Sequence, residues 1–186
     1  FYHPFTIKVQ SMKRSISLLF TSFFWATLLV AQSVEEGKKF IYYERFHSAK
    51  DVFQKLVAAN ASNAEAAYWL GQSYLGLEDV ANARKTYQAA MQSNPTAPLL
   101  LAGMGQIQLI DGDATGARNN FDMAVNNTKS KDLEVLHAVA RANVYTKAGD
   151  ANYAISKLQQ ATTLKGFKDP SVYVTLSLIH ISEPTR

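Results

Sequence analysis

Cysteine is absent from all 186 residues. Without it the chain has no disulfide framework and no thiolate to hold a metal, an absence compatible with export. An HExxH pair is missing too. His47 and His137 stand apart with no partner at zinc-ligand spacing, so each is expected to be a solvated side chain. Gly103, Gly105, Gly112 and Gly116 crowd one stretch, but no strand precedes them and no Lys-Ser/Thr follows, which excludes a phosphate-binding loop. Asp111 and Asp113 flank Gly112 in a turn and are expected to cap a helix there, not to act as an acid–base pair. The triplets beginning at Asn60 and Asn126 match an N-glycosylation acceptor but are short enough to arise by chance, and no weight is given to them. No catalytic residue, cofactor, metal or small-molecule substrate is expected, and an enzyme is not.

A clustered basic face is also lacking. The chain holds 19 Lys plus Arg against 15 Asp plus Glu, a net charge of +4. Lys8, Lys13, Arg14 and Arg186 fall outside residues 34–175, as does Glu183, which leaves 15 basic and 14 acidic residues in that region. The basic balance belongs to the ends, so a nucleic-acid footprint is excluded.

What the chain does have is a repeated unit. Residues 64–97 read AEAAYWLGQSYLGLEDVANARKTYQAAMQSNPTA, and Leu70, Gly71, Tyr74, Ala83, Tyr87, Ala90 and Pro95 mark a pair of helices. Gly71 and Ala83 are expected where the first helix crosses the second, since small side chains let the axes come close. Tyr74 and Tyr87 fill the space beside the crossing, Asp79 caps the second helix, and Asn94-Pro95 stops it. A step of about 34 residues backward brings Gly37, Ala49 and Phe53 onto the same marks, with Leu56 in place of the later Ala. The same step forward brings Gly105, Asp113, Ala117, Phe121 and Ala124. A further, longer step aligns Ala142, Tyr145, Gly149-Asp150, Ala154, Leu158 and Ala161, with the extra residues in the polar linker NNTKSKDL.

These spacings resemble the tetratricopeptide repeat family, with Ala67 standing where that family has an aromatic. The resemblance implies an all-α right-handed superhelix of antiparallel helix pairs. The repeats run over about 34–63, 64–97, 98–134 and 135–168, with a partial unit at 169–175, so residues 34–175 form one solenoid. It also implies a protein-binding scaffold whose first helices line a concave groove. Carried over by position, that groove presents Ile41 and Tyr42; Glu65, Tyr68, Gln72 and Leu75; Leu99, Ala102, Gln106 and Leu109; and Val139, Asn143 and Thr146. Gln72, Gln106 and Asn143 share one repeat position, and a row of amides can bond an extended peptide while Tyr68 and the leucines offer pockets; the alternative is that Tyr68 and Leu109 simply pack against the neighbouring helix. The groove resembles a chaperone-tail receptor poorly, because the cationic clamp of such domains is replaced by Tyr68, Gln72, Trp69 and Ala140. The helix from Leu99 to Ile110 has no charge, which favours contact on several faces, and it is too short to span a bilayer.

The ends fit no repeat. Residues 1–11 read as translated upstream sequence. Lys13 and Arg14, the apolar run 16–31 and Ala31-Gln32-Ser33 describe a secretory signal peptide over 12–33, cleaved after Ala31 or Ser33. The run is shorter than the roughly 20 apolar residues of a membrane anchor, so the membrane is a partner only if this segment stays uncleaved. No cysteine follows it to carry a lipoprotein anchor. Export to a bacterial periplasm, envelope or exterior is the expectation. Residues 176–186, LSLIHISEPTR, resemble translated sequencing-adapter sequence, and on that reading a further domain could follow position 175. The competing expectation is therefore a targeting arm of a larger envelope enzyme or cell-wall-binding protein.

Overall fold

A computed structural model of the protein describes residues 34–182. The upstream stretch 1–11 and the expected signal peptide 12–33 lie outside these residues. Within them the chain is helical throughout: α1 over 34–42, α2 Phe46–Ala59, α3 Ala64–Gly76, α4 Val80–Ser93, α5 Pro98–Ile110, α6 Ala114–Asn127, α7 Leu133–Val144, α8 Ala151–Thr162 and α9 Pro170–Ser182. Among the described residues there is no strand, and no helix is long and apolar enough to cross a membrane. Consecutive helices pair as α1/α2, α3/α4, α5/α6 and α7/α8, and α9 continues through residues 176–182.

Each boundary has a local cause. The side chains of Asn63, Asp79, Asp113, Asp132 and Asp150 accept from the backbone N–H three residues on, at 2.8–3.1 Å, and so start α3, α4, α6, α7 and α8. Asp113 is thus the expected cap, while Asp111 ends α5 and pairs with Arg84. Pro98 opens α5, where a missing N–H costs nothing. The turn inside each of the first three pairs passes through one left-handed residue, at Glu44, Glu78 and Gly112, one repeat apart each time. The fourth turn has no such residue, and the expected match of Tyr145 to Tyr74 fails with it. Tyr145 is the residue after α7 and lies 59% exposed.

The close approach of paired helices rests on a different contact from the one expected. A Cβ placed on Gly71 would strike the Tyr87 ring before it reached any atom of Ala83. The same holds for Gly37 against Phe53 and Gly105 against Phe121, so each glycine receives the aromatic of the second helix. In the fourth pair Ala142 and Leu158 take those positions, and both are buried. Ala49, Ala83, Ala117 and Ala154 are fully buried, with Ala90, Ala124 and Ala161 behind them. Leu70 is buried beside the Gly71–Tyr87 contact, Tyr74 is half-buried and accepts from Gln54 at 2.9 Å, and Pro95 lies exposed after the end of α4.

Neighbouring pairs are joined on the outside by repeated polar links. Arg84 grips Asp111 with two bonds of 2.7 and 2.8 Å, and Arg118, one repeat later, reaches Asp150 at 3.4 Å. The uncharged α5 packs against α3, α4, α6 and α7, which is why Leu100, Leu101, Ala102, Ile107 and Leu109 are buried around its circumference.

Candidate functional site

The residues expected to line the concave side divide into two groups. Tyr68, Ala102, Leu109 and Val139 are buried, as is Ile41, whereas Tyr42 is 72% exposed and Leu75, Leu99, Gln106 and Thr146 are half-buried. Tyr68 stacks on Tyr87 at 6.4 Å and meets the edge of Trp69 at 5.0 Å. Its burial pushes the phenol pKa up to about 12, so the hydroxyl stays neutral. Tyr68 therefore belongs to the core, since the ring behind it fills the space left by Gly71 and Gly103.

The amide row forms between two of its three expected members. Gln72 Nε2 donates to Gln106 Oε1 at 2.8 Å and to the Tyr87 hydroxyl at 3.0 Å. Asn143 turns away: its Nδ2 donates to Val139 O at 2.9 Å and its Oδ1 accepts from Asp150 N at 3.0 Å. The cause is the altered fourth turn, which brings the Asp150 N–H to the Asn143 carboxamide.

A charged cluster lies beside this row. Lys38 Nζ stands 2.7 Å from Glu65, 2.9 Å from Glu134 and 3.6 Å from Glu35. Trp69 Nε1 donates to the same Glu134 oxygen at 3.2 Å, and the ammonium sits 5.5 Å from the Trp69 ring centre. Burial pulls the Lys38 pKa down, but the hydrogen bonds to Glu134 and Glu65 outweigh it and hold the group above an ordinary lysine. Lys38 was open to discovery from the sequence, because it stands one repeat before Gln72 on the same mark. The Trp69–Glu134 bond had no such signal, since its partners are 65 residues apart.

His137 is not the solvated side chain expected. It is half-buried between α7 and α9, with Nε2 3.0 Å from the Thr175 hydroxyl and Nδ1 3.4 Å from that of Ser171, which donates to Asp169. Burial, with Arg141 nearby, lowers its pKa to about 4. His47 is exposed in α2. Among the described residues no group of acidic or histidine side chains is placed to hold a metal.

Antiparallel helix pairs repeating on one frame, with a first-helix face in common, define an α-helical repeat solenoid. A family model described as tetratricopeptide repeat matches residues 34–98 and 70–130, a little over half of the chain. The chain belongs to the tetratricopeptide repeat family. It is similar to Tetratricopeptide repeat protein 1 of Schizosaccharomyces pombe, with 25% identity over 167 residues; the match covers 84% of this chain and 16% of that relative. Similar solved structures include a thermophilic tetratricopeptide repeat protein of Thermus thermophilus, at 16% identity and TM-score 0.46, covering 81% of this chain and 99% of that one. The MamA protein follows at 16% identity and TM-score 0.44, covering 82% and 81%. The Cut9–Hcn1 hetero-tetramer of the APC/C matches at 15% identity and TM-score 0.43, covering 82% and 36%.

Proposed function

We propose that this protein is an exported scaffold that binds a segment of another envelope protein along its concave side. The observation that carries the reading is the Gln72–Gln106 pair. Two successive repeats present amides at one mark, and the Gln106 nitrogen donates no hydrogen bond among the described residues. That nitrogen and the half-buried Leu75 offer an extended backbone a donor beside an apolar contact, and Tyr42 at the end of α1 adds an exposed aromatic. Solenoid curvature supplies the long surface such binding needs. Export rests on the basic, apolar and small-residue order of 12–33 alone.

The test compares capture of envelope proteins by the wild-type chain, by Tyr42→Ala/Gln106→Ala and by the outer-face variant Lys85→Ala. Tyr68 is left intact because its loss would open the core. An aromatic anchor is worth about 2 kcal/mol, or roughly thirtyfold in affinity, so the groove variant should lose its partner while Lys85→Ala keeps it. Loss in Lys85→Ala alone would move the binding surface to the convex side. A second reading, a targeting arm of a larger protein, draws support from the curated relative, of which this chain spans 16%. The full-length gene decides it: a non-repeat domain supports the arm, and repeats alone support the scaffold.

A further inference from the structure

The Lys38 cluster joins parts of the chain that the repeat frame does not bring together. Lys38 comes from α1, Glu65 and Trp69 from α3, and Glu134 from the start of α7, so the first, second and fourth helix pairs meet at one ammonium. Helices α3 and α7 each pack on α5. The bridge between them is made by side chains. At the α5 positions one repeat after Tyr68 and Trp69 stand Ala102 and Gly103, so that helix has no large side chain there. The indole is fixed from behind by its stack on Phe53 at 6.5 Å, which aims Nε1 at Glu134.

We propose that Lys38, Glu65, Trp69 and Glu134 form a clasp that ties the first helix pair to the fourth, sets the curvature of the solenoid and closes the concave side over Trp69. In a repeat array each unit touches its neighbours, and curvature is the sum of small rotations that nothing else limits. A bond from the first pair to the fourth limits that sum directly. The clasp also has a built-in opening force. Three carboxylates, Glu35, Glu65 and Glu134, surround one lysine, and they repel one another once the ammonium is lost or screened. The carboxylate side chains are 36–69% exposed, so salt reaches them. If the concave side binds a partner, as proposed above, the clasp gates entry to it; this consequence rests on that reading, whereas the clasp does not.

The absence of cysteine allows clean labelling. Spin labels at Lys55→Cys in α2 and Gln159→Cys in α8, both exposed positions, report the separation of the first and fourth pairs by pulsed dipolar spectroscopy. With Lys38 intact at about 0.1 M salt the distance distribution should be narrow. Lys38→Met should lengthen and broaden it, and the unaltered clasp in about 1 M NaCl should move the same way. Arg84→Met, which breaks a link between adjacent pairs only, should leave it in place. In a Trp25→Phe background, acrylamide quenching of Trp69 should rise with Lys38→Met at unchanged helicity. A distribution unmoved by both Lys38→Met and high salt would overturn the clasp. No partner is present in these measurements, so their failure is distinct from failure of the groove reading, which the capture experiment judges.

Discussion

Tyr87 does most of the work of the second helix pair. Its ring lies against both Gly71 and Gly103, its hydroxyl accepts from Gln72, and it is fully buried. Burial keeps the phenol well above its ordinary pKa, so it remains a neutral hydrogen-bonding group. The consequence is a specific cost for the smallest possible change. Gly71→Ala puts a methyl into the Tyr87 ring and should destabilise the chain by about 1–3 kcal/mol, read as a lower thermal midpoint. In a Tyr87→Leu background the same substitution should cost clearly less, because the ring it meets is gone. An equal cost in both backgrounds would return the contact to Ala83, where the small-residue pattern first pointed.

At the scale of elements, the last helix is held differently from the others. Helix α9 packs on α7 and α8 and meets α7 through His137, Ser171 and Thr175, with Arg141 and Asp169 as the neighbouring charges. The folded imidazole has its pKa lowered to about 4, so as pH falls the unfolded chain takes up this proton first. Stability from this contact is complete above the ordinary histidine value near 6.5 and is lost as pH drops toward 4. The loss should be on the order of 2–3 kcal/mol. Urea unfolding at about pH 7 and about pH 4.5 measures it, with His137→Gln as the comparison; the variant should show a smaller pH difference. The same difference in both proteins would mean that other groups carry the acid sensitivity.

For the whole molecule, stability should follow position in the array. Among the described residues, α5 and α7 are each covered by four other helices, whereas α9 packs on α7 and α8 only. Amide hydrogen exchange should therefore be slowest in α5 and α7 and fastest in α9. Protection of α9 equal to that of α5 would contradict a nearest-neighbour array. What could be read in the sequence is what lies within one helix pair. The 34-residue frame, the caps at Asp79 and Asp113 and the helix stop at Asn94-Pro95 all act over a few residues to one repeat, where spacing alone sets geometry. The partner of Gly71 was already harder, since two small residues at a crossing say that the helices approach but not which side chain fills the gap. The fourth pair departed from the frame because its turn lacks the left-handed residue, and this took Asn143 and Tyr145 off their expected places. The meeting of Lys38 with Glu134 and the burial of Tyr68 were decided by tertiary structure alone. The first depends on how far the array curves, and curvature accumulates from small rotations between repeats that no single repeat's spacing contains; the second depends on the Tyr87 ring set against Gly71 and Gly103.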